Sequence, residues 1–321
     1  MAILWCGGED IDFPTNPLVG LSGFRAGYAR CSLSASAGTM RSVAFGPLTS
    51  LWMSMQVSGN NLAASVRMFG LMNSGANSGL WVGSSAASAT KIALIKYYGV
   101  TATATELAAE TLNSWAAGNV TGKLDVEVVN YGASAAVTVF WNGAAVIAFS
   151  GNAAVPDMTD IDQAAQTGNS GATSTVISEV VIADQDTRAF SLVTLAPNAA
   201  GTTDNWTGAF TDVNETTVND ATVVSTNTAT QDEQFNLTDL PSGAFAIKAV
   251  KEAMRAANTA GAAATDVALG INSGGSVDAG SPAGLTTAFA TYERLMLVNP
   301  VTGIAFTTAE INALQVNLRS S

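Results

Sequence analysis

Residues 124–149 read LDVEVVNYGASAAVTVFWNGAAVIAF. In Leu124-Asp125-Val126-Glu127-Val128 the apolar and charged residues alternate with a period of two, the pattern of a strand with one buried and one wet face. Asp125 and Glu127 are therefore expected on the wet face. Val137-Thr138-Val139-Phe140-Trp141 then leads into Asn142-Gly143, and residues 144–149 lead away. Asn and Gly both tolerate positive φ, so this spacing predicts a hairpin closed by a two-residue type I′ turn. Replacing Gly143 by Val should then be costly, whereas Asn142→Gly should be nearly silent.

The same grammar extends in both directions. Upstream, strands are predicted at 28–33, 42–45, 51–57, 66–72, 79–83 and 91–98, with Leu51, Met53, Met55 and Val57 on one face. Residues 106–118 place Ala108, Leu112 and Trp115 at helical spacing, but strands surround them and the segment is read as strand and loop. Downstream, a Gly/Ser/Asn/Thr loop over 166–175 precedes a strand at 176–183 that ends at Asp184-Gln185-Asp186-Thr187-Arg188. Beyond residue 190 the sequence predicts β-structure at 216–225, 234–237 and 244–257, the last two joined through Leu240-Pro241-Ser242-Gly243, and a pairing of 267–271 with 292–298. Thr307 and Glu310 have the spacing of a capping box, with Ile311, Leu314 and Leu318 behind it, so one short C-terminal helix is expected. The fold class is all-β: two tandem antiparallel β-sandwiches, with an N-terminal arm over 1–23, a first sandwich over 24–190 and a smaller one over 191–321.

Composition narrows the function classes. Of 321 residues, 48% are hydrophobic and only 12% charged, so Ala, Ser, Thr, Asn and Gly must cover the surface. Such a surface suits subunit packing or sugar binding, and an association through it should respond little to salt. The formal charge of -12 opposes phosphate backbones and anionic membranes, which argues against a nucleic-acid partner. Neither a membrane span nor a secretory signal is legible, so synthesis in the cytoplasm is expected. Cys6 and Cys31 are read as two buried thiols, with a bridge between them as the alternative.

The order of pieces from residue 51 to 188 resembles the laminin-G-like, or concanavalin A-like, jelly roll. The matching segments are the Trp52-bearing strand, LDVEVVNYG at 124–132, VTVFWNG at 137–143 and ISEVVIADQDTR at 177–188. LAPNAAGTTDNWTGAFTDVNE at 195–215 and LVNPVTGIAFTTAEINALQ at 297–315 further resemble structural proteins of tailed bacteriophages. This resemblance implies a virion component, made in the host cytoplasm and released by lysis, and offers no catalytic motif. A tail fibre or tail-tip adhesin contacting host-surface glycan is favoured over a head-decoration protein, and a homotrimer packed against other virion proteins is expected.

Chemistry is constrained by what is missing. Histidine is absent, which excludes Ser-His-Asp and Cys-His arrangements and imidazole metal sites. The Glu-x-Asp-x-x-Glu pattern of concanavalin A-like glucanases is also missing, so no enzyme is expected; a polysaccharide-degrading enzyme remains the alternative from another class. Trp81, Tyr97, Tyr98, Trp115 and Tyr131, with Trp141, are the candidates for stacking on sugar rings, against the plainer reading that they are core. No cofactor is expected; Asp157, Asp160 and Asp162 could supply oxygens to a calcium ion, although a solvated loop is the preferred reading.

Overall fold

The computed structural model describes residues 2–15, 17–20, 24–25, 28–30, 32–35, 38–60, 67–75, 77–112, 119–167, 174–259 and 261–321. Cys31, Val66, Trp115 and the loop residues 168–173 lie outside them, and with Cys31 the question of its pairing with Cys6. The chain divides into two compact units, Met1–Leu192 and Val193–Ser321.

The first unit contains β1 (Ile3–Gly7), β2 (Pro17–Gly20), β3 (Ser32–Ala35), β4 (Thr39–Arg41), β5 (Leu51–Asn60), β6 (Arg67–Met72), β7 (Gly79–Ser84), β8 (Lys91–Tyr98), β9 (Thr103–Thr111), β10 (Asn119–Val129), β11 (Ala135–Trp141), β12 (Ala144–Gly151), β13 (Gln163–Thr167) and β14 (Ser174–Ala183). They form two antiparallel sheets. The larger runs β12-β11-β10-β5-β14-β3-β2 with β1 also on β14; the smaller runs β4-β13-β6-β7-β8-β9. Strand β1 falls within the stretch expected as an arm, and Trp5 and Phe13 are buried in the core. Period-two alternation decides which side chains face inward. Leu51, Met53, Met55 and Val57 of β5, Leu124, Val126 and Val128 of β10, and Val137 and Val139 of β11 meet Phe69 and Leu71 of β6, Leu80 and Val82 of β7, and Ile92 and Leu94 of β8. Each such side chain contributes roughly 1.5–3 kcal/mol by leaving water.

The hairpin is as the spacing predicts. Trp141 faces Ala144, and Asn142 and Gly143 have φ of 50° and 83°. Asn142 does more than turn the chain. Its Oδ1 accepts the Lys123 backbone N–H at 2.8 Å and its own N–H donates to the Lys123 carbonyl at 2.8 Å, tying the turn to β10. Asn142→Gly is thus expected to cost about 1 kcal/mol rather than be silent, since it strands that N–H. Gly143→Val should cost more than ~1 kcal/mol from backbone strain alone, because a Cβ at Gly143 would have open space around it. Thermal melts of the two variants check both values.

One expectation about this stretch is corrected. Asp125 does lie on the face opposite the core, but it is 0% exposed, because residues 184–190 cross over it. Glu127, also on that face, is half-buried.

The second unit contains β15 (Pro197–Asp204), β16 (Asp232–Leu237), β17 (Val250–Ala256), β18 (Asp266–Ser273), β19 (Ser276–Asp278), β20 (Pro282–Gly284), β21 (Ala290–Met296), the helix α1 (Thr308–Asn312) and β22 (Gln315–Ser320). One sheet runs β15-β16-β22-β18-β19, with β20 also on β18, and a separate ribbon pairs β17 with β21. Four expectations change here. Residues 267–271 and 292–298 do not pair: β18 takes β22 as its long neighbour, while β21 takes β17 with Glu252 opposite Arg294. Residues 216–225 form no strand, only an isolated bridge from Ser225 to Thr207. Residues 244–249 are irregular, so Pro241-Ser242-Gly243 closes no hairpin and β16 instead pairs with β15 and β22. Leu318 belongs to β22 and not to a helical face.

The helix itself is capped as expected. Thr307 Oγ1 accepts the Glu310 N–H at 3.2 Å and Glu310 Oε2 accepts the Thr307 N–H at 2.7 Å, satisfying two donors that the first turn leaves open. Phe235, Leu269, Ile271, Val316 and Leu318 fill one face of the sheet. The opposite face is an amide ladder: Gln234 donates to Asn317 at 2.8 Å, Asn272 to Gln315 at 3.1 Å, and Gln315 to Asn236 at 2.9 Å.

Candidate ligand-contact face

In a chain with few charges, an unusual number gather on the outer face of the larger first-unit sheet. Lys123 extends from β10 under the segment 184–190, and its three ammonium protons donate to the carbonyls of Thr187 (2.9 Å), Arg188 (2.9 Å) and Phe190 (2.7 Å). Asp125 Oδ1 lies 3.8 Å from the same ammonium and accepts the Thr187 hydroxyl at 3.0 Å. Burial pushes the Asp125 carboxyl above and the Lys123 ammonium below their ordinary ranges, each opposed by the other's charge. Alongside, Glu179 sits at a bulge with φ of 55° and holds Arg25 through a two-pronged contact, Nε to Oε1 at 2.8 Å and Nη2 to Oε2. Asp125 is thereby sealed from solvent.

Beside this sealed layer lies a half-buried one, in which Trp52 is partly exposed and Phe140 is buried. Trp52 of β5 and Phe140 of β11 stand side by side on the same outer face, with ring centroids 5.4 Å apart and planes 21° apart. The guanidinium of Arg188 lies 4.6 Å over Phe140 and 5.8 Å over Trp52, and is gripped by Asp186, whose side chain pulls its pKa upward. Arg188 Nη2 donates to Asp186 Oδ2 at 2.6 Å. Glu127 is the cross-strand neighbour of Trp52. A half-buried indole beside an arginine–aspartate fork and a glutamate offers a stacking plane with donors and acceptors at its rim.

The sequence candidates are distributed differently. Trp81 is 0% exposed, its ring lying so close over Gly70 that a Cβ there would come within 2.5 Å of it. Tyr97 is half-buried beneath Arg67, whose guanidinium is 3.4 Å from the Tyr97 ring and 5.3 Å from that of Trp81, so these two are brought together on the smaller sheet. Tyr98 packs against the inter-sheet core, and Trp141 is buried in it. Tyr131 is buried as well. Its hydroxyl accepts the Val155 N–H at 3.3 Å, and burial pushes its pKa up to about 12. Asp157, Asp160 and Asp162 accept from Ser78 (2.7 Å), Asn73 (2.7 Å) and Ser74 (2.6 Å), which clips the segment 157–162 to the turn at 73–78. Among the described residues no group of three or more acidic or cysteine side chains is placed to hold a metal ion.

Trp52 and Phe140 were legible as a pair only through parity. In 51–57 Trp52 falls on the face away from Leu51 and Met53, and in 137–141 Phe140 falls on the face away from Val139 and Trp141; large aromatics on a polar face were the available signal.

No family model and no curated protein matches the sequence. Among solved structures, the chain is similar to the carbohydrate binding module CBM66 from Bacillus subtilis (12% identity, 53% of this chain and 96% of that one, TM-score 0.34). It is also similar to a conserved carbohydrate esterase from the Shiga toxin-encoding bacteriophage phi24B (14% identity, 56% and 88%, TM-score 0.34). A third is the receptor binding domain of botulinum neurotoxin type G (7% identity, 57% and 43%, TM-score 0.35), of whose length the chain spans less than half. These likenesses are distant and say nothing of what this chain binds.

Proposed function

We propose that the protein is a non-enzymatic structural component of a tailed-phage virion, an adhesin of the tail fibre or tail tip that contacts host-surface glycan through the outer face of its first sandwich. The observation that carries the glycan contact is the Trp52–Phe140–Arg188 ledge, which sets an accessible indole beside a rigid charged fork. The virion setting is supported by the resemblance of 195–215 and 297–315 to phage structural proteins. The absence of catalysis is supported by the covering of Asp125, which leaves Glu127 without an accessible carboxylate partner on β10.

Binding of host-surface polysaccharide fragments, followed by calorimetry, tests the reading. Trp52→Ala and Arg188→Ala are each expected to weaken binding at least about tenfold, equivalent to ~1.4 kcal/mol, with Tyr97→Phe unchanged. Equal affinity of Trp52→Ala and the wild type would remove the ledge from consideration. Release of reducing sugar from the same polysaccharide by the pure protein would favour the enzyme instead.

A further inference from the structure

Edge strands invite pairing with other chains, and most proteins blunt them with shortness, proline, charge or bulges. Most of the sheet ends described here carry such a device. Strand β2 begins at Pro17 and has four residues, β4 has three with Arg41 among them, and β9 carries Glu106 and Glu110. Strand β1 has five residues and is almost wholly buried. In the second unit β15 starts at Pro197 and is broken by two register shifts, β19 and β20 have three residues each, and the ribbon carries Lys251, Glu252, Arg255, Glu293 and Arg294. Strand β12 is different: AAVIAFSG, eight residues with neither charge nor proline, ends the larger sheet. Its single irregularity lies at the turn end, between the pairs made by Phe140 and Val139, and Ile147–Gly151 runs regularly from there.

The direction of its free backbone groups follows from the hairpin. Asn142 donates toward β10, so alternate residues of β11, including Trp141, Val139 and Val137, bond β12 through Ala144, Ile147 and Phe149. Ala148 and Ser150 accordingly aim their N–H and C=O groups away from the sheet, and their small side chains are exposed. Ile147 is buried and Phe149 half-buried against the core, so the strand is held rigid; β9, the end strand of the facing sheet, runs close to β12, while Ala148 and Ser150 stay exposed.

We propose that β12 pairs with β12 of a second copy of this chain, antiparallel about a two-fold axis near Phe149, joining the two larger sheets into one. An uncharged edge is complementary to itself, since antiparallel pairing places Ala148 and Ser150 against equally small residues and satisfies outward donors and acceptors on both copies. The unit of assembly is then a dimer rather than the trimer expected from the sequence. The inference is independent of the glycan reading, and failure of the Trp52 test leaves it standing.

Light scattering of the full chain at micromolar concentration tests it, with twice the 32.6 kDa chain mass expected and little change on adding salt. Ala148→Pro removes an outward N–H without touching the bonds to β11, and Ser150→Lys places a charge on the edge. Each is expected to weaken dimerisation at least tenfold while the hairpin's melting temperature at low protein concentration stays unchanged. Hydrogen exchange on the wild type gives a readout free of any folding defect: the Ala148 and Ser150 amides should be protected in concentrated samples and lose protection on dilution. A monomeric or trimeric wild type, dimers that persist in both variants, or exchange at Ala148 and Ser150 that ignores concentration would each overturn the proposal.

Discussion

Replacing Glu252 by Met should stabilise the second unit at pH 8 by on the order of 3 kcal/mol and leave it nearly unchanged at pH 4.5. Glu252 is 7% exposed, on the side of β17 that carries Val250 and Met254, and neither of its carboxylate oxygens has a hydrogen-bond partner among the described residues. Its cross-strand neighbour Arg294 is engaged elsewhere, donating to the Leu269 carbonyl at 2.9 Å and to Asp278 at 2.6 Å. Burial therefore dominates and raises the Glu252 pKa from 4.5 to about 8, with Arg294 opposing the shift and Asp278 adding to it. The folded carboxyl holds its proton where the unfolded one has lost it. Below about pH 4.5 both states are protonated and nothing is lost; between 4.5 and 8 folding must take up a proton and stability falls; above 8 the full penalty is in place and the slope vanishes. Glu252→Gln should flatten the pH dependence but retain a buried unpaired amide, and so gain less than Met. The difference in melting temperature between variant and wild type, followed across pH 5–9 for the second of two transitions, isolates this group from the other carboxylates. A wild type whose second transition is flat over that range would show Glu252 to be paired and ionised.

The second large effect is expected at Lys123. Its ammonium has three protons, and all are given to the carbonyls of Thr187, Arg188 and Phe190 while Asp125 supplies the opposing charge. Lys123→Met leaves three carbonyls short of a donor and a buried carboxylate without its cation, for an expected loss of ~3–5 kcal/mol. Replacing both partners, Lys123→Met with Asp125→Leu, should lose much less, because the buried charge goes with its counter-charge. Melts of the single and double variants decide between these values. If the proposed glycan contact holds, the single variant should also weaken it, since Arg188 is carried by the segment that Lys123 holds.

The sequence was most informative where one physical signal acted alone. Residues 51–57 and 124–149 alternate cleanly, and strands β5, β10, β11 and β12 follow that alternation with Asn142 and Gly143 at positive φ between the last two. The Thr307–Glu310 cap is a local contact and was equally readable. Where pairing depended on distant partners, alternation could name strands but not neighbours. Nothing local in 267–271 tells that the chain's last strand inserts beside it, because Leu269 opposite Leu318 and Ile271 opposite Val316 are apolar matches that residues 292–298 offer too. The candidate site failed for a related reason. Trp81, Tyr131 and Trp141 are aromatic and on or near strands, as expected, but which face each takes depends on the far side of the sandwich; Trp52, read as a fold marker, is the one left half-buried on the outer face, stacked on the buried ring of Phe140. Asp125 looked wet because nothing near it in sequence announces that residues 184–190 return to cover it.

The bonds made by Asn142 also bear on how the molecule ages. An asparagine followed by glycine is the chain's most vulnerable point for slow loss of ammonia, which begins when the next residue's backbone nitrogen attacks the side-chain amide carbon. That attack needs the side chain to swing toward Gly143, and here its oxygen is held on the Lys123 amide while its own backbone is bonded to the Lys123 carbonyl. The contact that fixes the register of the hairpin thus also delays its chemical decay, so incubation of the native protein should leave Asn142 intact long after the same segment, freed as a peptide, has converted to aspartate and isoaspartate.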